Sequence, residues 1–117
     1  MKILFIINDA PYGTEKAYNA LRLANQILKD SSDTTVNIFL LADAVSCGLK
    51  DQVTPNGYYN IGRMLSLCIS RGGQLKVCGT CMDARGINEQ MFQKGVQRSN
   101  LKEFAEWTVE ADKVLSF

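Results

Sequence analysis

Branched and aromatic residues follow one another without helical spacing from Lys2 to Ile7, and the turn-forming run Asn8-Asp9-Ala10-Pro11-Tyr12-Gly13 ends them. This predicts a first strand and its exit loop. From Glu15 to Lys29 the period changes. Ala17, Ala20, Leu21, Ala24, Ile27 and Leu28 recur at i, i+3, i+4 and i+7, so they share one face of a helix that must cover a sheet. After the polar stretch Asp30 to Thr34, Val36 to Leu41 is almost continuously apolar, as a strand buried on both faces is. Strand, helix, strand is the pattern of a parallel crossover.

A loop carrying Asp43, Cys47 and Gly48 and a segment through Pro55, Asn56 and Gly57 lead to a second helix. Its inner face is Ile61, Met64, Leu65, Cys68 and Ile69, and Gly72 is placed to end it in a left-handed conformation. Leu75 to Val77, closed by Cys78, predicts a short central strand. Asp83 to Gly86 reads as a single turn and Lys94 to Gln97 as a further short strand. Asn100 with Glu103 three residues on resembles a capping box, opening a helix through Ala111 with Leu101, Phe104, Ala105 and Thr108 as its inner stripe. Val114-Leu115 and Phe117 supply a last strand. The alternation predicts one domain over residues 1–117, an α/β fold built as a three-layer α/β/α sandwich on a mostly parallel sheet of about five strands.

Composition narrows the function more than the fold. A chain of 117 residues buries one core, and 46% hydrophobic with 21% charged residues is an ordinary globular balance without repeats or low-complexity tracts. A net charge of +1 with no basic stripe argues against direct nucleic-acid binding. The apolar run Ile3 to Ile7 ends too soon for a secretory signal, and no run approaches the roughly 20 apolar residues of a membrane span. A cytoplasmic protein without membrane attachment is therefore expected. In that setting the four cysteines are expected to be reduced thiols. Histidine is absent, which removes both the commonest general base and the commonest zinc partner of cysteine.

The chemistry concentrates between Val77 and Ile87. Cys78 stands at a strand end with Cys81 three positions on, and in open parallel sheets that edge carries ligands. Zinc at this Cys-x-x-Cys needs two further ligands from Cys47, Cys68, a carboxylate or another subunit; neither a metal nor a cofactor is expected. A thioredoxin-like dithiol suits the spacing, although the motif follows the third strand of a doubly wound pattern. Arg85 and free N–H groups from Gly79 to Asp83 are the local features that lower a thiol's pKa. Without histidine an acyl-enzyme is disfavoured, whereas attack of a thiolate on sulfur needs no general base. Cys78, Cys81 and Arg85 are thus the candidate catalytic residues, with Arg85 expected to favour the anion at Cys78.

Around them we place a strand-edge pocket formed by Asn8, Asp9 and Tyr12 after the first strand, Asp43 and Cys47 after the second, and Gly79 and Thr80 beside Cys78. Turn formation or helix capping accounts equally well for Asn8, Asp9 and Asp43. Cys47 could approach the same edge as Cys78, with an inert buried thiol as the preferred reading, and Cys68 reads as core. Tyr58-Tyr59 and Trp107 read as a ligand surface, a core edge or a subunit contact.

The chain resembles the DsrE/DsrF-like family over essentially its whole length. The likeness rests on Asn8-Asp9-Ala10-Pro11-Tyr12-Gly13 with Leu21-Arg22-Leu23-Ala24, and on Phe39-Leu40 through Asp43-Ala44-Val45 with Gly48-Leu49. It continues through Cys78-Gly79-Thr80-Cys81 and Arg85-Gly86-Ile87, and ends on Trp107-Thr108 with Ala111-Asp112-Lys113-Val114-Leu115. The resemblance implies a three-layer α/β/α fold and a compact oligomer, a homohexamer in one branch of the family. Members in sulfur oxidation and in the sulfur relay for transfer-RNA thiolation carry persulfide on a strand-end cysteine upstream of an Arg-Gly, and Cys78 corresponds to it by position. Cys81 is not part of the sulfur-relay pattern, which leaves room for an internal disulfide or another acceptor; Cys47 also departs from it.

The expected function is a sulfurtransferase-type sulfur carrier in which Cys78 holds a persulfide and Cys81 resolves or tunes it, with donor and acceptor proteins as partners. The rivals are a non-enzymatic oligomeric binding module with a strand-edge pocket, and a dithiol redox protein. Few helices must cover two sheet faces, so uncovered apolar surface also points to self-association.

Overall fold

The computed structural model describes residues 1–117. The strands are β1 (Lys2–Ile7), β2 (Thr35–Leu40), β3 (Gln74–Cys78), β4 (Val96–Ser99) and β5 (Lys113–Ser116). The helices are α1 (Lys16–Asp30), α2 (Ile61–Ser70), α3 (Gly79–Asp83) and α4 (Leu101–Glu110), with 3-10 turns at Ala42–Gly48 and Glu89–Met91. All pairings within the sheet are parallel and the strand order is β4-β3-β2-β1-β5. The first four strands are laid down side by side, and α4 then carries the chain back across the sheet to place β5 beyond β1. No helix is long and apolar enough to cross a membrane.

Alternation along the strands gives the sheet two unlike faces. Ile3, Phe5, Ile7, Val36, Ile38, Leu40, Leu75, Val77 and Val96 pack with Ala17, Ala20, Leu21 and Ala24 of α1 and with Ile61, Leu65 and Cys68 of α2 in one apolar core. Gly72 follows α2 with φ +93°, the left-handed stop its position predicts. The opposite face carries Leu4, Asn37, Phe39, Lys76, Cys78 and Ser99, and α4 lies over its middle. Phe104 stacks on Phe39 with ring centres 4.4 Å apart, and Trp107 meets Phe39 edge-on at 6.2 Å. The Lys76 ammonium sits 4.6 Å from the Trp107 ring centre and 2.6 Å from Glu103, whose other oxygen accepts from the Ser99 hydroxyl at 2.8 Å.

Several local expectations shift. The inner side of α4 is Glu103, Phe104 and Trp107, whereas Ala105 and Thr108 are exposed and Leu101 is 78% exposed. The reason is the sheet beneath it: Lys76 on β3 draws Glu103 inward, and the broad Phe39 ring draws Phe104 and Trp107. The Asn100 cap holds, its side chain accepting from the Glu103 N–H at 2.9 Å. The fourth strand runs Val96–Ser99 instead of over Lys94 to Gln97, because Gly95 at φ +92° still turns the chain. The segment after β2 winds into a 3-10 turn, and a helix begins directly after Cys78 instead of at Asp83.

The α4 contacts give an acid-side prediction. Hydrogen bonds from Lys76 and then Ser99 hold the Glu103 carboxyl below its ordinary value. A depressed carboxylate contributes stability that is complete above the unfolded value of 4.5 and is lost as pH falls through the lower folded one. The stability difference between the wild type and Lys76→Met, measured by urea unfolding, is expected to hold above that value and to shrink below it. A difference that stays flat on acidification would remove Lys76–Glu103 from the account.

Candidate active site

The strand end and helix start around Cys78 form one continuous turn of chain. Cys78 closes β3 and is the residue that caps α3, its Sγ accepting the Cys81 N–H at 3.4 Å and lying 3.2 Å from Thr80 Oγ1. A cap three residues ahead of the N–H it satisfies is the geometry that Cys-x-x-Cys imposes when a helix starts between the thiols. Burial alone raises the Cys78 thiol, but the Thr80 hydroxyl, the Cys81 side chain and the Cys81 and Thr80 amides outweigh it. The net effect holds Cys78 below the ordinary cysteine value.

The lack of a side chain at Gly79 leaves room for Arg98 to lie close. A Cβ there would stand 2.9 Å from the Arg98 guanidinium, which folds over the start of α3. Arg98 grips both oxygens of Asp83 at 2.8 and 2.9 Å, tying the far end of α3 to β4, and this grip keeps the Asp83 carboxyl below its usual range. Cys78 and Ser99 are register partners across β3 and β4. Beside them opens a cavity of about 470 Å³ on the α4 face, with Phe39, Leu41 and Phe104 as apolar walls and Thr80, Arg98 and Ser99 as polar ones.

Cys81 faces the other way, towards the turn that follows β2. Its Sγ accepts the Ala42 N–H at 3.3 Å, and Ala42 adopts φ +50°, a left-handed conformation that costs a residue with a side chain about 1 kcal/mol or more. Arg85 donates to the Cys81 carbonyl at 3.1 Å and to Asp43 Oδ1 at 3.0 and 2.9 Å. Burial and the hydrogen bond to Cys78 push the Cys81 thiol up, with the Ala42 amide and the Arg85 charge acting against them. Of the pair, Cys78 is therefore the thiol that ionises first and Cys81 the one that holds its proton longer.

Of the residues that the sequence points to, Cys78, Gly79 and Thr80 line the cavity. Cys81, Asp43 and Arg85 form a second cluster behind it, and Arg85 reaches Cys81 instead of Cys78. The remaining ones lie elsewhere. Asn8 donates to Ser116 Oγ and to the Phe117 carbonyl at the β5 edge. Asp9 accepts from Thr14 at 2.9 Å and pairs with Lys16 at 3.8 Å. The Tyr12 hydroxyl accepts the Ile61 N–H, and its ring joins Tyr18, Tyr58 and Tyr59 in a cluster of neighbouring rings. Cys47 is buried, near the Asp9 carbonyl, and burial pushes it up to about 12; Cys68 is raised to about 12 for the same reason. Arg98, Ser99, Phe39 and Phe104 enter the site unannounced. Arg98 lies beyond the strand expected at Lys94 to Gln97, and β4 itself has no alternation that would single it out.

The chain matches the DsrE/DsrF-like family over residues 1–117. It is 42% identical to protein YchN of Escherichia coli strain K12 over 116 residues, which cover 99% of this chain and 98% of that one. The crystal structure of the E. coli protein superimposes with a TM-score of 0.93, covering 99% and 98% of the two chains. An uncharacterized protein of Methanopyrus kandleri is 39% identical over 115 residues, 98% of this chain and 93% of the relative. A protein of unknown function from Methanobacterium thermoautotrophicum shares the fold at 13% identity, with a TM-score of 0.79 over 99% and 98% of the chains.

Proposed function

Because this chain belongs to the DsrE/DsrF-like family, a family associated with sulfur relay, we propose that it carries sulfur as a persulfide on Cys78. The observation that supports this most is the placement of the Cys78 sulfur: it borders the cavity, accepts hydrogen bonds that favour its anion, and has a protonated second thiol within one helical turn. In loading, the Cys78 thiolate attacks the outer sulfur of a donor persulfide. The donor's S–S bond breaks, the donor leaves as a thiolate with the electron pair, and Cys78 gains one sulfur atom. In release, the Cys81 thiolate attacks Cys78 Sγ, hydrosulfide departs, and a Cys78–Cys81 disulfide remains for an external thiol to reduce.

Exposed apolar residues on α4, Leu101 at 78% and Val109 at 86%, favour self-association, and the proposal includes a homohexamer. One experiment tests both parts. After incubation with a small-molecule persulfide donor, mass spectrometry of the Cys81→Ser protein is expected to show a gain of about 32 Da on the peptide containing Cys78. The native spectrum of the same sample is expected at six chains. No gain in mass would leave a binding module as the better account, and a monomer would remove the assembly.

A further inference from the structure

Two sulfurs one helical turn apart draw on two separate sets of donors. Cys78 is served from α3 itself, by the Thr80 hydroxyl and the Cys81 amide. Cys81 is served from outside α3, by the Ala42 N–H on its sulfur and by Arg85 on its carbonyl, and Asp43 fixes the guanidinium through a two-pronged contact. Asp43 is itself placed by the 3-10 turn, where the Ser46 hydroxyl donates to its carbonyl at 2.7 Å. Cys78 has a different cation nearby, Arg98, which is already engaged by Asp83. Neither arginine serves both thiols.

We infer that Arg85, held by Asp43, is a positioning residue for Cys81, and that it sets the rate of the second thiol step while leaving the first to Cys78 and its own donors. This rests on the reading of Cys81 as the resolving thiol. While Cys78 is an anion, Cys81 keeps its proton, although the Ala42 N–H meets its sulfur and the Arg85 cation is held on its carbonyl. Once Cys78 is capped as a mixed disulfide, it carries no charge to oppose ionisation of Cys81. The Ala42 amide and the Arg85 cation then favour the thiolate that attacks Cys78 Sγ.

The aromatic disulfide dithiobis-nitrobenzoate separates the steps without any sulfur donor. Attack by the Cys78 thiolate breaks the reagent's S–S bond and releases one nitrothiobenzoate. Attack by the Cys81 thiolate on Cys78 Sγ releases the second and leaves the Cys78–Cys81 disulfide, so the reagent takes up the two electrons. The wild type is expected to show two phases in stopped flow, and Cys81→Ser only the first. Removing the cation lowers the thiolate fraction of Cys81 but makes each thiolate a better nucleophile, which recovers nearly half of the loss on a logarithmic scale. Arg85→Ala is therefore expected to slow the second phase about threefold relative to the first at neutral pH, and to displace its rate profile to higher pH. Arg85→Lys, which keeps the charge, is expected to bring the ratio of phases back within about twofold of the wild type. An unchanged ratio in Arg85→Ala, equal slowing of both phases, or a lysine variant no better than alanine overturns the inference. The reagent brings its own leaving groups, so a protein that never gains sulfur would defeat the carrier proposal and leave this result standing.

Discussion

Cys78→Ser is expected to abolish the sulfur gain altogether and to remove nearly all fast alkylation of the native chain. The three other thiols cannot replace it for physical reasons. With pKa values of about 12, Cys47 and Cys68 present a thiolate fraction of about one in 100,000 at pH 7, whereas an ordinary free cysteine presents a few per cent and Cys78 lies below the ordinary value. Both are also fully buried. Cys81 is held protonated by burial and by its bond to Cys78. Timed labelling of the wild type with iodoacetamide, read peptide by peptide, is expected to modify Cys78 at least about a thousandfold faster than Cys47 or Cys68. Comparable rates at either buried thiol would relocate the site.

Phe39→Ala is the substitution expected to cost most stability outside the main core. Phe39 is 1% exposed, and it alone presents a broad apolar ring to both Phe104 and Trp107 of α4. Large-to-small changes at buried aromatics cost about 3–5 kcal/mol, part of it from the space left behind. Here the space would open into the cavity beside Cys78, so α4 loses its anchor and the site loses a wall together. Thermal unfolding is expected to shift down by roughly 10 °C or more. A loss under about 1 kcal/mol would mean that Lys76 and Glu103 hold α4 without the aromatic stack.

The elements that announce themselves in the sequence are those whose partners recur at a fixed period. Lys2 to Ile7 and Ala17 to Leu28 are legible because burial on one core writes an apolar pattern of the right spacing, and the parallel sheet follows from their order. The five residues of α3 are too few to show a period, so the helix that gives Cys78 its donors is hidden in a motif that reads simply as two thiols. The rest of the site depends on contacts between residues remote in sequence: Asp43 with Arg85, Asp83 with Arg98, and Lys76 with Glu103. Each is an exposed or half-exposed charge, and no local pattern says which opposite charge it meets. The inner side of α4 departs from its apolar period for the same reason. Its stripe is set by a lysine and a phenylalanine on the sheet, and an apolar period cannot record the lysine.

The strand order also gives the protein a folding history. β1 meets β2 and β2 meets β3 across moderate loops, each closed over a helix that packs at once on the same core. β5 pairs with β1 from the other end of the chain: the Lys2 N–H reaches Asp112, 110 residues away. Loop closure over so long a span comes at a higher entropic cost than closure of the neighbouring pairs, and its contacts are rewarded only after the earlier strands have aligned. As synthesis proceeds from the amino terminus, β1 to β4 are available to assemble before α4 and β5 have been made. The nascent sheet therefore shows Phe39 uncovered on one side, and α4 is the lid that ends this interval of exposure.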